Sequence, residues 1–574
     1  MFRHTILSTL IAVLWLSDAR SLAAEKAELI LHNGKIVTVD AAFSIHQGMA
    51  VSGARIVKLG KNDDILALRG DDTTVIDLSG KTVVPGLIDS HTHPGGAAMH
   101  EFDHEIPTME TIAEVLEYIK SRAAAVGEGK WITVRQVFVT RLKEQRYPTR
   151  EELDRAAPNN PVVFSTGPDA SVNSLALKLS GIDKDSKVTG KGYLERDPST
   201  GEPTGILRSC TYLIKSESTG KSASQEDRLR RLKSLFRDYN SVGITAISDR
   251  NANSGDIERY RLLHAGDQLT VRMALSHGVG TDGDVENIQA AIRKVAEHPL
   301  VKGDDMLRIV GIKTFLDGGM LTGSAYMREP WGVSQIYSIQ DPQYRGLLYI
   351  PREKLLPIVE STLEAGLQFT AHSVGDGAVH TLLDVYEELN RKQPIRDRRP
   401  CLTHSNFMSR EAVEKAAALG VVVDIQPAWL WLDGKTLLAQ FGSDRLRYFQ
   451  PLASIFAAGG IAGGGSDHMQ KIGSFRSVNP YNPFLGMWIS VVRVPRGMDQ
   501  PLHREESLTR EQALRFYTAN NAYVLFLDKV AGTLEPGKLA DFAILETDVL
   551  TCPAVALRET KVEATYLGGK QVYP

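Results

Sequence analysis

Between about residue 84 and residue 530, apolar runs of strand length alternate with longer stretches of helical pattern. This alternation is typical of βα units, which build a parallel sheet covered by helices. Nine runs have the length and apolar character of a buried strand, whereas a (β/α)8 barrel uses eight. They are residues 87–90, 162–166, 244–248, 271–275, 307–315, 367–371, 400–403, 421–425 and 461–464.

The run 162–166 is the surplus one. It lies in a long stretch, at about 131–208, that follows the first strand and ends in the turn-rich segment 197–205. We therefore predict an insertion over about 131–208 and take the other eight runs as barrel strands.

Both ends of the chain have the pattern of short β-strands. Turns such as Asn33-Gly34 separate the β segments of residues 28–59, and β character returns over 532–545 and 562–567. We predict that residues 25–83 and 531–574 pair into one β-sandwich beside a barrel over 84–530. The predicted fold class is therefore α/β, a TIM-type (β/α)8 barrel with a flanking β-sandwich built from both chain ends.

Residues 1–24 have the composition of a secretory signal peptide, with a basic start, an apolar run over 6–16 and small residues at Ser21, Ala23 and Ala24. The alternative is an uncleaved membrane anchor, but the apolar run is well short of the roughly 20 residues that span a bilayer. We expect cleavage near Ala23 or Ala24 and an exported protein, periplasmic or secreted, with no membrane attachment.

The chain carries 66 basic and 69 acidic residues, a formal net charge of −3. This balance gives no reason to expect a nucleic acid or an anionic membrane surface as a partner. A small molecule is the expected ligand, and a homodimer is compatible with such a fold.

His91 and His93 stand two residues apart at the end of the first barrel strand. Alternate residues of a strand point to the same side, so both imidazoles can bind one ion. Two structural histidines are the alternative interpretation. The position favours a metal site, because barrel enzymes place their sites at the carboxyl ends of the strands.

His372, His404 and Asp467 each end or follow another apolar run. Taken singly, each could be a hydrogen-bonded histidine or a loop-capping aspartate. Together they are predicted to reach the same rim as the histidine pair. A carboxylate there can ligate a metal and accept a proton from a water molecule, which makes Asp467 the candidate general base.

Lys313 lies in the mostly apolar run 307–315. A buried ammonium without a partner is costly. One explanation is that the amine reacts with carbon dioxide to form a carbamate whose two oxygens bridge two ions. The other is an ion pair with a neighbour such as Asp317.

These motifs resemble those of the amidohydrolase superfamily, and within it the amidohydrolase-3 group. The resemblance implies a metal-dependent hydrolase that holds one or two divalent ions, with zinc expected. It implies that the metal ligands are His91, His93, His372, His404 and Asp467, with Lys313 as the candidate carbamate bridge. The matching segments are 30–36, 85–93, 201–208, 311–313 with 317–318, 371–376, His404, 465–467 and 537–541.

Two segments depart from the family pattern. The family commonly has a Gly-His pair shortly before residue 172, where this chain has Gly167-Pro168-Asp169-Ala170. His468-Met469-Gln470 stands where a small residue and a proline are usual. The substrate specificity of the family therefore does not transfer directly to this chain.

The predicted reaction is hydrolysis of a non-peptide amide bond. A divalent ion lowers the pKa of bound water enough to supply hydroxide near neutral pH, and Asp467 serves as base and then acid. The same site could open a cyclic amide, a lactone or another ester, and a non-catalytic scaffold is the alternative from another class. Trp429 and Arg208 are the predicted substrate contacts, with packing and a structural ion pair as their alternative roles.

Overall fold

The computed structural model describes residues 26–190 and 192–574, so the predicted signal peptide lies outside the described residues. Its centre is a sheet of eight strands in which every pairing is parallel and neighbours follow chain order. We number these strands β1 to β8. They are β1 (Leu87–Thr92), β2 (Ile244–Asp249), β3 (Arg272–Gly278), β4 (Leu307–Phe315), β5 (Gln368–Ser373), β6 (Cys401–His404), β7 (Val422–Ile425) and β8 (Ile461–Gly464).

Hydrogen bonds just beyond the end of β8 join it to β1 and complete the ring. The Asp467 amide donates to the His91 carbonyl at 2.8 Å, and the His93 amide donates to the His468 carbonyl at 2.8 Å. The Asp89 carboxylate accepts from the Ser466 amide at 3.0 Å. The prediction of a TIM-type barrel is confirmed, and the residues that close it include three of the predicted site residues.

Apolar side chains from the amino-terminal halves of the strands fill the opposite end of the barrel. Ile88, Val310 and Val422 pack there with residues of the helix Ala519–Val524, which lies across this end. Because that mouth is filled, the carboxyl ends of the strands form the end at which a ligand can enter.

A separate five-stranded sheet lies between β1 and β2 in the chain. The run 162–166 forms a strand here and not in the barrel, beside strands from both sides of it in the sequence. In sheet order the strands are Tyr193–Arg196, Pro203–Arg208, Ala170–Val172, Val162–Ser165 and Ile132–Arg135, and the accompanying helices are Ile112–Val126, Arg150–Ala156 and Ser174–Ser180.

Two further sheets pack face to face through Leu31, Met49, Val83, Phe542 and Tyr566. The two chain ends meet where Phe542–Leu545 pairs antiparallel with Thr82–Pro85. The predicted flanking sandwich is therefore present. Its four-stranded sheet is Arg55–Gly60, Gly48–Ser52, Ala27–His32 and Arg69–Asp77, and its six-stranded sheet is Lys570–Tyr573, Val562–Leu567, Phe542–Leu545, Thr82–Pro85, Lys35–Val37 and Ile45–His46.

The remaining helices surround the barrel, connect it to the sandwich or, in the case of Asn62–Leu66, pack on the sandwich. None of the helices in the described ranges is long and apolar enough to cross a membrane. They are Asn62–Leu66, Pro94–Met99, Gln225–Ser241, Ser254–Ala265, Val285–Ala296, Arg352–Glu364, Asp376–Lys392, Arg410–Leu419, Pro427–Arg445, Leu452–Ala457, Pro483–Val492, Arg510–Phe516 and Ala554–Arg558.

Candidate metal centre

His91, His93 and Asp467 meet at the carboxyl end of the barrel. One ligand atom from each lies within 4.8 Å of the other two. The same carboxylate oxygen of Asp467 lies 3.1 Å from Nε2 of His93 and 3.4 Å from Nε2 of His91. Strand alternation on β1 and the closure of the ring bring together groups that are 374 positions apart in the sequence.

The other two predicted histidines continue this group. The His404 ring lies 4.8 Å from the His91 ring and 4.5 Å from the His372 ring, measured between centroids. Four imidazoles from β1, β5 and β6 therefore form one continuous cluster beside Asp467.

The hydrogen bonds of two of these rings define their protonation pattern. Nδ1 of His91 donates to Asp424 Oδ2 at 3.0 Å, and Nδ1 of His404 donates to Gln426 Oε1 at 2.7 Å. Both acceptors come from β7 and the residue after it. Nε2 is then the unprotonated nitrogen of each ring, which is the form in which a histidine binds a metal.

Burial keeps most of the cluster neutral. It lowers the pKa of His91 and of His404 well below the usual value and, with the charge of Lys313, lowers the pKa of His372 to about 3. For His93 burial also lowers the pKa, but the hydrogen bond to Asp467 and its charge outweigh burial and the net shift is upward. Neutral imidazoles are ready to bind a cation without first losing a proton.

Lys313 lies under the cluster with only 1% of its surface exposed, and Nζ has no hydrogen-bond partner among the described residues. The expected alternative, an ion pair with Asp317, is absent from the described part of the chain because that carboxylate accepts three backbone amides, from Tyr326, Val374 and Gly375. Burial lowers the pKa of Lys313 to about 8. The lysine is a buried polar group that a bound ion, or a carbamate bridging two ions, would satisfy.

These observations fit a divalent metal site. The same cavity is lined by neutral imidazoles, by the Asp467 carboxylate and by a lysine that has no hydrogen-bond partner among the described residues. Imidazole and carboxylate groups together are ligands that zinc binds. His91, His93 and Asp467 would hold one ion, and His372 and His404 with Lys313 would hold a second.

The cluster forms the floor of a cavity of about 1230 Å³. One wall is apolar, with Phe138, Leu321, Val374 and Trp429 lining it. Phe315, two residues after Lys313 on β4, is also in the lining and is 45% exposed, which is unusual for an aromatic ring in this part of the fold. The inserted sheet contributes residues 132–135 to the far side. A ligand on this wall of the cavity would contact aromatic and aliphatic side chains.

Trp429, predicted as a substrate contact, lines this cavity and stacks on the His404 ring with centroids 4.9 Å apart. Its Nε1 donates to Asn479 Oδ1, and Asn479 Nδ2 donates to the carbonyl of Asp467. The tryptophan thus supports two predicted ligands, and 5% of its surface remains exposed.

Arg208, the other predicted substrate contact, does not line the cavity. Its guanidinium is 4% exposed and pairs with Asp169 at 2.8 Å, while its other donors reach the carbonyls of Thr322 and Tyr337. The departure from the family pattern at 167–170 therefore introduces a buried ion pair. The pair lies within the inserted segment, and the Arg208 hydrogen bonds to Thr322 and Tyr337 tie that segment to the residues after β4.

The second departure is also part of a defined arrangement. His468 is buried, accepts from the Tyr239 hydroxyl at Nδ1 and donates from Nε2 to the carbonyls of Gln470 and Lys471. Burial lowers its pKa to about 4. A neutral His468 thereby holds the turn that follows Asp467.

We expect Arg208→Met to destabilise the protein by about 3–5 kcal/mol, because it leaves the buried Asp169 carboxylate without its cation. Urea-induced unfolding measures the change. Arg146→Met is the matched control, since Arg146 is 42% exposed and its pair with Glu152 should be worth about 0–1 kcal/mol. Equal effects of the two substitutions would show that the buried Arg208–Asp169 pair contributes no more to stability than an exposed pair does.

Sequence reasoning did not single out Asp424, Gln426 or Phe315. Asp424 stands in the otherwise apolar run 421–425, and a charged residue in such a strand signals a buried partner. Phe315 shares a face of β4 with Lys313 because the two are two residues apart. Both signals were present in the sequence, but the partner of Asp424, His91, lies 333 positions away.

Comparison with known proteins places these features in context. A model described as the amidohydrolase family matches residues 74–573. The N-substituted formamide deformylase of Arthrobacter pascens is 30% identical over 557 residues, which cover 94% of this chain and 97% of that protein.

Among solved structures, a metal-dependent hydrolase from Pyrococcus horikoshii OT3 has a TM-score of 0.66 at 21% identity, covering 92% of this chain and 99% of that one. A mutant of the atrazine chlorohydrolase of Arthrobacter aurescens TC1, complexed with zinc and atraton, has a TM-score of 0.53 at 16% identity, covering 95% of each chain. At these identities the likeness is one of fold.

Proposed function

The chain belongs to the amidohydrolase family, and we propose that it hydrolyses a non-peptide carbon–nitrogen bond of a small molecule, with Asp467 as general base and acid. The observation that carries this proposal is the cluster of His91, His93 and Asp467 on the floor of a large cavity. Beneath it lies Lys313, whose amine has no hydrogen-bond partner among the described residues.

The reaction adds water across an amide. When bound, a divalent ion makes water more acidic and polarises the carbonyl group. Asp467 accepts a proton from the attacking water, because its carboxylate lies in the cluster where that water would be held. It then gives this proton to the amine nitrogen as the carbon–nitrogen bond breaks. The products are a carboxylic acid and an amine, and the base is regenerated.

The apolar wall supports a substrate class. Phe138, Phe315, Leu321 and Trp429 line the cavity whose floor is the cluster, so a bulky apolar substituent next to the amide would be desolvated as it binds. An N-acyl amine with an aromatic or aliphatic substituent fits this wall. The formamide deformylase relative, named for N-substituted formamides, supports the same class.

We further propose that one or two zinc ions occupy the centre and that Lys313 carries a carbamate. The lysine amine would add to carbon dioxide, forming a nitrogen–carbon bond and releasing one proton. Its burial without a hydrogen-bond partner among the described residues supports this assignment. The zinc complex of the structurally similar atrazine chlorohydrolase supports the choice of metal.

Elemental analysis of the purified protein, combined with a panel of N-formyl and N-acyl amines, tests the proposal. We expect about one or two zinc-like ions per chain and release of free amine. Removal of the metal with a chelator should abolish release, and added zinc should restore it. A protein that binds no metal in metal-supplemented buffer would instead be a scaffold, and one that opens lactones without releasing amines would be an esterase.

A further inference from the structure

Asp424 is a fully buried carboxylate in the middle of the apolar strand β7. Its Oδ1 accepts from Ser90 Oγ and from Gln426 Nε2, both at 2.9 Å. Its Oδ2 accepts from Nδ1 of His91 at 3.0 Å and lies 3.4 Å from Nε of Arg250. Both oxygens are therefore occupied by donors from three different parts of the barrel.

We propose that Asp424 is a positioning residue that sets the tautomers of two metal-binding histidines, His91 directly and His404 through Gln426. The inference rests on the proposed metal centre but concerns residues that the proposed reaction does not use.

His91 faces the Asp424 carboxylate directly. A carboxylate has no proton to donate, so the ring nitrogen that faces Asp424 must be the one that carries hydrogen. Nδ1 is that nitrogen, which leaves the lone pair of Nε2 directed toward Asp467, 3.4 Å away. Asp424 thus fixes the orientation and the tautomer that metal binding requires.

His404 does not touch Asp424, but Gln426 lies between them. Gln426 Nε2 donates to Asp424, so the amide oxygen of Gln426 must point the other way. That oxygen lies 2.7 Å from Nδ1 of His404 and accepts its hydrogen. The hydrogen bond to Asp424 thus fixes the orientation of the Gln426 amide, and the amide oxygen in turn holds the hydrogen of His404 on Nδ1. Nε2 of His404 is then also unprotonated.

Arg250 reduces the free-energy cost of burying the Asp424 carboxylate. The guanidinium is fully buried beside Asp424, and it donates to the carbonyl of Ser90 and to the side chains of Ser276 and Gln368. A buried charge needs a charged partner and satisfied hydrogen bonds. Arg250, the residue after β2, is the charged partner of Asp424, and Ser90, Gln426 and His91 donate its hydrogen bonds.

An amide in place of this carboxylate would reverse the pattern. Ser90 and Gln426 both donate to one side, so the oxygen of the amide would be drawn there and its NH₂ group would face His91. Nδ1 of His91 would then have to accept, which moves the hydrogen of the ring to Nε2, the nitrogen needed for the metal. The substitution Asp424→Asn therefore tests the tautomer with almost no change in side-chain volume.

We expect Asp424→Asn to weaken zinc binding by about 10–100-fold in a competition assay with a chromogenic chelator. The visible spectrum of the cobalt-substituted protein should also change, because a ligand is lost or reoriented. Asp541→Asn is the matched control. Asp541 is another buried aspartate, paired with Arg272 at the start of β3, and its loss should lower the unfolding temperature without altering zinc affinity or the cobalt spectrum.

Gln426→Leu provides a second variant in case Asp424→Asn does not fold. It removes the acceptor of His404 and one donor to Asp424 but leaves the hydrogen bond between Asp424 and His91, so it should weaken zinc binding less than Asp424→Asn does. A folded variant of either kind that binds zinc as tightly as the wild-type protein, with an unchanged cobalt spectrum, would overturn the inference. A wild-type protein that binds neither zinc nor cobalt would instead overturn the proposed function.

Discussion

Asp467→Asn should lower kcat/KM by about 10²–10⁴-fold, the usual contribution of a positioned general base and acid. The amide keeps the size of the side chain and one oxygen that can still ligate an ion, but it cannot accept a proton from water. Nor can it supply one to the leaving amine. The loss should therefore appear mainly in kcat, with a smaller change in KM.

The local structure suits this substitution. Asp467 has a positive φ of 54°, a conformation that asparagine adopts more readily than most residues. Its hydrogen bonds to the His91 carbonyl and from Asn479 involve backbone atoms, so the amide leaves them in place. Metal content should be measured on the same sample. Retained metal with lost turnover supports the base assignment, whereas full turnover would rule it out.

Lys313→Ala should remove at least one metal ion per chain and reduce kcat/KM by about 10²-fold or more, because a bound ion contributes several kcal/mol to stabilising a transition state. If the lysine carries a carbamate, formate or acetate should enter the space left by the side chain and restore part of the activity. Incorporation of ¹³C-labelled bicarbonate into the wild-type protein would identify the modification directly.

A purely structural lysine predicts the opposite behaviour. Nζ has no hydrogen-bond partner among the described residues, so replacing it with a methyl-terminated side chain would relieve the cost of burying a polar group. Lys313→Met would then be more stable than the wild type and equally active. Such a result would contradict both the carbamate and a role in metal binding.

The eight barrel strands were predictable because each needs only a local run of apolar residues. Predicted and observed bounds coincide for β4 and β8 and differ by a few residues elsewhere. The surplus run at 162–166 could be assigned to the insertion because turn-rich sequence follows it. Each of these features depends on residues near one another in the chain, which is where sequence patterns carry most information.

The residue types of the site could likewise be predicted from the sequence, because a histidine, lysine or aspartate is an uncommon residue at the end of an apolar strand. Their grouping agrees with the geometric cluster of His91, His93 and Asp467. By contrast, whether Lys313 pairs with Asp317 could not be read from their proximity in sequence. The segment after β4 turns so that backbone amides take up that carboxylate instead.

The sequence by itself determined the barrel, the sandwich at the chain ends and the set of residues that could bind a metal. Only the tertiary structure decided their partners: Asp424 for His91, 333 positions away, and Asp169 for Arg208, 39 positions away. The physical reason is that strand formation follows from local side-chain pattern, whereas a buried charge is satisfied by whichever group the closed barrel brings within hydrogen-bonding distance.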